Sequence, residues 1–199
     1  MADRFDSVLN YWFGESTDQA EILATRGQLW FGKNPQVDAQ IAREFGDLVE
    51  KALNGALVDR ANSPRHCLAE ILLLDQFTRN IYRDTPNAFA GDPRARNRAR
   101  HLLAAGIDSL TAVEKVFVYL PFEHSEDLTD QKRSMALFHQ LLESAPGNLR
   151  SFFDRFYDYA VRHHVIIDRF GRFPHRNKIL GRESTPDEIQ FLLQPGSSF

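Results

Sequence analysis

Apolar residues recur along most of the chain three or four positions apart, the spacing of an amphipathic helix. That spacing predicts helices over 4–13, 36–54, 64–82, 93–105, 110–122, 128–144, 149–169 and 185–193, with shorter ones near 20–30 and 174–180. Only VFVYLPF, residues 116–122, competes as a buried strand, and one strand would have no partner. Five pairs place a capping residue before proline: Asn34-Pro35, Ser63-Pro64, Thr85-Pro86, Asp92-Pro93 and Thr185-Pro186. In each, the first side chain can accept from an orphan helix N–H, and proline at the first helical position sacrifices no bond. Glu188 completes a capping box with Thr185. Glycines at 14, 55, 106, 171 and 181 fall where helices should end. The reading is all-α, a single multi-helix domain over 1–193 followed by a flexible tail, QPGSSF, over 194–199.

Composition narrows the setting. A chain of 199 residues that is 43% hydrophobic can bury a substantial core. Its 24 Lys and Arg against 27 Asp and Glu argue against general attraction to nucleic acid or an anionic membrane. Cys67 is the only cysteine, which excludes an internal disulfide and fits a reducing cytosol. The start, MADRFDSVLNYWFG, reads as mature sequence, and the apolar runs 71–74 and 116–122 are too short for a membrane span. The expectation is a cytoplasmic, soluble protein.

Three constellations carry chemistry. Asp75 and Arg79 stand four apart in ILLLDQFTRN, acid first, so an intrahelical pair is the simplest reading. The apolar neighbours also predict burial, and a buried carboxylate requires a partner. Glu123-His124-Ser125-Glu126-Asp127 follows Pro121. Ser125 or Asp127 can cap the next helix and His124 can sit at the end of the previous one. Alternatively His124 and Glu126 converge as an acid/base couple or as two metal ligands.

The third is HHVIIDRFGRFPHRNKILGR, residues 163–182. His164 and Asp168 share a helical face, Gly171 ends the helix, and Arg172, His175, Arg176 and Asn177 gather around Pro174. Six Arg or Lys between 162 and 182 face one acid, Asp168. These cations suit either a carboxylate or phosphate ligand, or acidic partners elsewhere in the chain such as Asp75 or Glu126. No HExxH or Cys/His cluster supports a metal, and no cofactor is expected. The arginines of DPRARNRARH spread around a helix, no phosphate loop or GxSxG elbow occurs, and the two WFG stretches read as core anchors. The similarity of LDQFTR to IDRFGR, 93 positions apart, is not a repeat period and reads as two helices with similar chemistry.

VLNYWFG, LLLDQFTRNIYR, YLPFEHSEDLTDQ and HVIIDRFGRFPHRNKILGRESTPDE, in this order, resemble the bacterial family designated domain of unknown function 924. The resemblance implies an all-helical fold of the tetratricopeptide-repeat-like kind without clear consensus repeats. It implies no established activity. The shared pattern takes in Asp75-Gln76-Phe77, Arg79-Asn80, His124-Ser125-Glu126 and Arg169 through Asn177, while Asp168 and Thr78 lie outside it. Together these residues predict a polar cleft lined by Asp75, Arg79, Asn80, His124, Glu126, Arg172, His175, Arg176 and Asn177 that binds a small anion or a peptide carboxylate. One alternative is an enzyme with His124 or His175 as acid/base and Glu126 as orienting carboxylate. It requires a histidine within hydrogen-bond reach of Glu126 or Asp75. A protein-interaction scaffold would instead expose a broad apolar groove.

Overall fold

The computed structural model describes residues 4–57 and 63–198; residues 1–3 and 58–62 of the expected domain, and the last residue of the tail, lie outside these. Among the described residues every regular element is helical. The chain runs through α1 (Arg4–Phe13), α2 (Gln19–Phe31), α3 (Pro35–Leu53) and α4 (Pro64–Ile71), then a π-helical turn (Leu72–Phe77) that continues into α5 (Thr78–Ile81). A 3-10 turn (Pro86–Phe89) leads to α6 (Asp92–Ala105), α7 (Ala112–Glu123), α8 (Leu128–Glu143) and α9 (Arg150–Phe170). A second 3-10 turn (Pro174–Arg176) and α10 (Pro186–Leu192) close the chain.

VFVYLPF is helical, and its burial explains the ambiguity. Every residue from Val116 to Glu123 is buried, so α7 shows no polar face by which a helical period could be recognised. It packs against α8, α6, α4, α9 and α2. The WFG aromatics meet on its flank: Trp12, Phe13 and Trp30 lie 5.7, 5.4 and 4.9 Å from the Phe117 ring. Trp30 Nε1 donates to the Trp12 carbonyl at 2.9 Å, which satisfies one indole inside the core.

Asn34, Ser63 and Thr185 cap as expected, with Glu188 completing its box. Thr85 and Asp92 do not. The Thr85 hydroxyl turns back to the Tyr82 carbonyl. Asp92 is already inside α6, its carboxylate committed to Arg79, and Gly91 occupies the cap position. The helix expected over 174–180 is one 3-10 turn, because beyond it Arg182 folds back to donate to Glu126 and to the Phe173 carbonyl. In the expected tail, Ser197 is buried and its hydroxyl donates to the Leu192 carbonyl.

The 64–82 helix is interrupted by its π turn, and the extra width is used. Gly91 packs so closely on this turn that a Cβ would lie 2.1 Å from the Leu74 carbonyl oxygen. Because that neighbour is backbone, Gly91→Ala is expected to cost about 1–3 kcal/mol through overpacking. Gly27, in α2 with nothing within 4 Å of a Cβ, should instead gain about 0.5–1 kcal/mol as alanine. Urea unfolding midpoints of the two variants should therefore move in opposite directions.

Candidate functional site

Asp75 projects from the π turn into the interior with none of its surface exposed. π turns inside helices frequently mark functional positions. His124 Nδ1 donates to Asp75 Oδ1 at 2.8 Å and Gln76 Nε2 to Oδ2 at 2.5 Å, while Arg79 stands 3.7 Å away. Desolvation alone would favour the protonated acid, but His124 and Arg79 outweigh it and hold Asp75 well below the usual carboxylate range. An ionised Asp75 can only accept, so Nδ1 carries a proton, and Nε2 is the nitrogen left to exchange one.

His124 closes the C-terminus of α7, and Gln131 holds it there. The Gln131 amide donates to the carbonyls of Glu123 and Ser125 at 2.6 and 2.7 Å, satisfying groups that a helix end leaves without partners. Beside this couple lies a second. His163 Nδ1 donates to the Tyr159 carbonyl at 2.8 Å and faces Glu123 Oε1 at 3.3 Å. The His124 and His163 ring centroids are 6.3 Å apart. Burial and then the Asp75 charge raise Glu123 well above its ordinary range, while burial and then His124 depress His163. Both shifts disfavour charge on the rear couple.

Two guanidinium groups adjoin the front couple. Arg79 pairs bidentately with Asp92 at 2.9 and 3.1 Å and donates to the Ala88 carbonyl. Arg176 is only 6% exposed, with its guanidinium carbon 4.4 Å from the Phe173 ring centroid and 4.7 Å from that of Phe89. Its Nη1 donates to the His124 carbonyl at 3.0 Å and comes no nearer Asp92 than 3.8 Å. Among the described residues its Nε has no hydrogen-bond partner.

The residues expected in one cleft divide into groups. Asp75, Arg79, His124 and Arg176 come together, with His175 beside Phe173. Asn80 donates to Asp38, which also holds Arg83. Arg172 pairs bidentately with Glu188 at 2.6 and 2.8 Å, Asn177 donates to Ser184 and Glu188, and Arg172 takes Glu188 down to about 2. Glu126 accepts from Arg182 and from the Phe173 amide, so Asp75, and not Glu126, orients the imidazole. An open depression of about 450 Å³ is lined by Arg169, Arg172 and Glu188, and Arg172 there is already paired with the Glu188 carboxylate.

Glu123, His163 and Asp92 join the site without having been singled out as site residues. Ala160, His163, Ile167 and Phe170 fall at 3 and 4 spacing, and this marks His163, not His164, as the core-facing histidine. Among the described residues, no group of three or more His, Cys, Asp or Glu is arranged to hold a metal ion. No helix among them is long and apolar enough to cross a membrane.

Fold and site together define an all-α protein with a buried carboxylate–imidazole couple beside an incompletely paired arginine. The chain belongs to the family of bacterial proteins of unknown function DUF924, whose model matches residues 8–196. A solved structure of a protein of unknown function from Agrobacterium tumefaciens is 34% identical, with a TM-score of 0.79, covering 95% of this chain and 96% of that one. No curated protein matches.

Burial, then the charge of Arg176, lowers His175 to about 4 from its ordinary 6.5, with Glu126 opposing and Arg182 and Arg79 reinforcing. The folded state then binds fewer protons than the unfolded chain, so this contribution is intact above pH 6.5 and lost as pH falls towards 4. His175→Gln should therefore flatten the fall of the melting temperature across that window. A slope unchanged from wild type would remove His175 from the acid response.

Proposed function

We propose that the protein binds a small anionic molecule against Arg176, beside the Asp75–His124 couple. The observation that carries this reading is the incomplete pairing of a buried cation. Arg176 is more than nine-tenths buried, yet among the described residues Nε lacks a partner and the one carboxylate within 4 Å is Asp92, at 3.8 Å. Burying a guanidinium in this state is costly unless a further acceptor completes its fork. Desolvation and then repulsion from Arg79 lower Arg176 to about 10, and an added negative charge relieves the second of these. The flanking Phe89 and Phe173 rings fix the plane of the guanidinium, which favours a planar or tetrahedral oxyanion that can accept two bonds.

Helices α6 to α9 pack each on the next in chain order, which supports a tetratricopeptide-repeat-like array without consensus repeats. The single, buried Cys67 fits a cytosolic setting.

Thermal shift in phosphate and in malonate, with sodium chloride at matched ionic strength as control, tests the reading. The wild type should be stabilised in proportion to RT ln(1 + [L]/Kd), about 2.7 kcal/mol at a hundredfold excess over Kd. Arg176→Met should lose the response, and Arg176→Lys, which keeps the charge without the fork, should lose most of it. Equal stabilisation of wild type and Arg176→Met would defeat the proposal.

A further inference from the structure

The couple beside Arg176 is built for more than holding an anion. An ionised Asp75 fixes a proton on Nδ1 of His124 and leaves Nε2 to exchange one, and the side chain keeps 15% of its surface accessible. Asp75 also supplies the negative charge that an imidazolium needs. A nucleophile is the remaining requirement. The hydroxyls flanking the couple are committed elsewhere: Thr78 Oγ1 donates to the Leu74 carbonyl at 2.8 Å and Ser125 Oγ to Asp130 at 2.9 Å. Cys67 is buried in the apolar core. Water is therefore the group that the imidazole can activate.

We infer that the site hydrolyses a small ester whose acid part is anionic, with His124 as general base and Arg176 holding the anion. This rests on the anion-binding reading above. Nε2 takes one proton from water as the water oxygen bonds to the phosphorus or carbonyl carbon. The bond to the ester oxygen breaks with its electron pair passing to that oxygen, and the imidazolium returns its proton there. The products are an alcohol and a free acid, and no redox partner or metal enters the balance. Arg176 is placed to stabilise the charge that builds on the acyl or phosphoryl oxygens.

The test is turnover of 4-nitrophenyl phosphate and of the mono-4-nitrophenyl ester of succinic acid by the full chain, with neutral 4-nitrophenyl acetate for comparison. The two anionic esters separate a phosphoryl from a carboxyl preference. One of them should be hydrolysed faster than in buffer and faster than the acetate, with kcat/KM rising along a single acid limb. His124→Gln should lower kcat by about 10²–10⁴-fold, and Asp75→Asn should shift the limb as well as lower the rate. If His124→Gln does not fold, carbethoxylation of wild-type His124, located by mass spectrometry, should abolish turnover in step with modification.

Absence of turnover while phosphate or malonate still stabilises the wild type would overturn the hydrolytic inference and leave binding intact. Activity that survives loss or modification of His124 would overturn it too. Absence of both turnover and anion stabilisation would remove the binding reading and the inference together.

Discussion

A carboxylate with no exposed surface, set in an apolar helix, must be compensated from several directions at once, and Asp75 organises its neighbourhood accordingly. Gln76 and Arg79 come from the same helical run, His124 from the end of α7. Placing His124 there leaves carbonyls at the α7 terminus that Gln131 of α8 must satisfy. Glu123, one residue earlier, shares the same interior opposite His163, and burial with the Asp75 charge pushes it well above its ordinary range. Thus one buried charge links four helical segments and shifts the titration of Glu123 beside it.

The arrangement also explains the unequal treatment of the two arginines. Arg79 meets Asp92 at the first residue of α6, where a carboxylate is favoured by the helix dipole as well. Arg176 arrives from the C-terminal turn after that carboxylate is already engaged. It stacks on Phe89, the ring that Arg79 also approaches at 5.3 Å, and on Phe173. Aromatic faces offset part of the cost of burying a guanidinium but supply no hydrogen-bond acceptors along its edge.

Much of the helical order was legible because local rules decide it. Apolar spacing and three of the five cap–proline pairs give the helix starts, and Gly171 ends α9 in the left-handed conformation. What escaped depends on contacts between distant segments. Gly91 displaces Asp92 from the cap because it lies against Leu74, and no local pattern around Asp92 records that. The π turn is invisible for the same reason. Sequence did bring Asp75, Arg79, His124 and Arg176 forward, as polar residues in apolar company. It could not divide Arg172 and Asn177 from them, because their partner Glu188 is also the glutamate of a capping box, a role that seemed complete by itself.

The segment after Gly171 is joined to the rest of the protein in a distinct way. Ile166, Ile167 and Phe173, with Phe170 and Phe191 against them, form an apolar cluster separate from the main core. The ties across to α7 and its following turn run through Glu126 to Arg182 and the Phe173 amide, and through the His124 carbonyl to Arg176. Hydrophobic contacts hold the main core with little dependence on ionic strength, whereas the partly exposed Arg182–Glu126 pair weakens as the Debye length shortens. The two parts of the molecule therefore respond unequally to added electrolyte: salt loosens the seam over His124 well before it affects the helices that carry it.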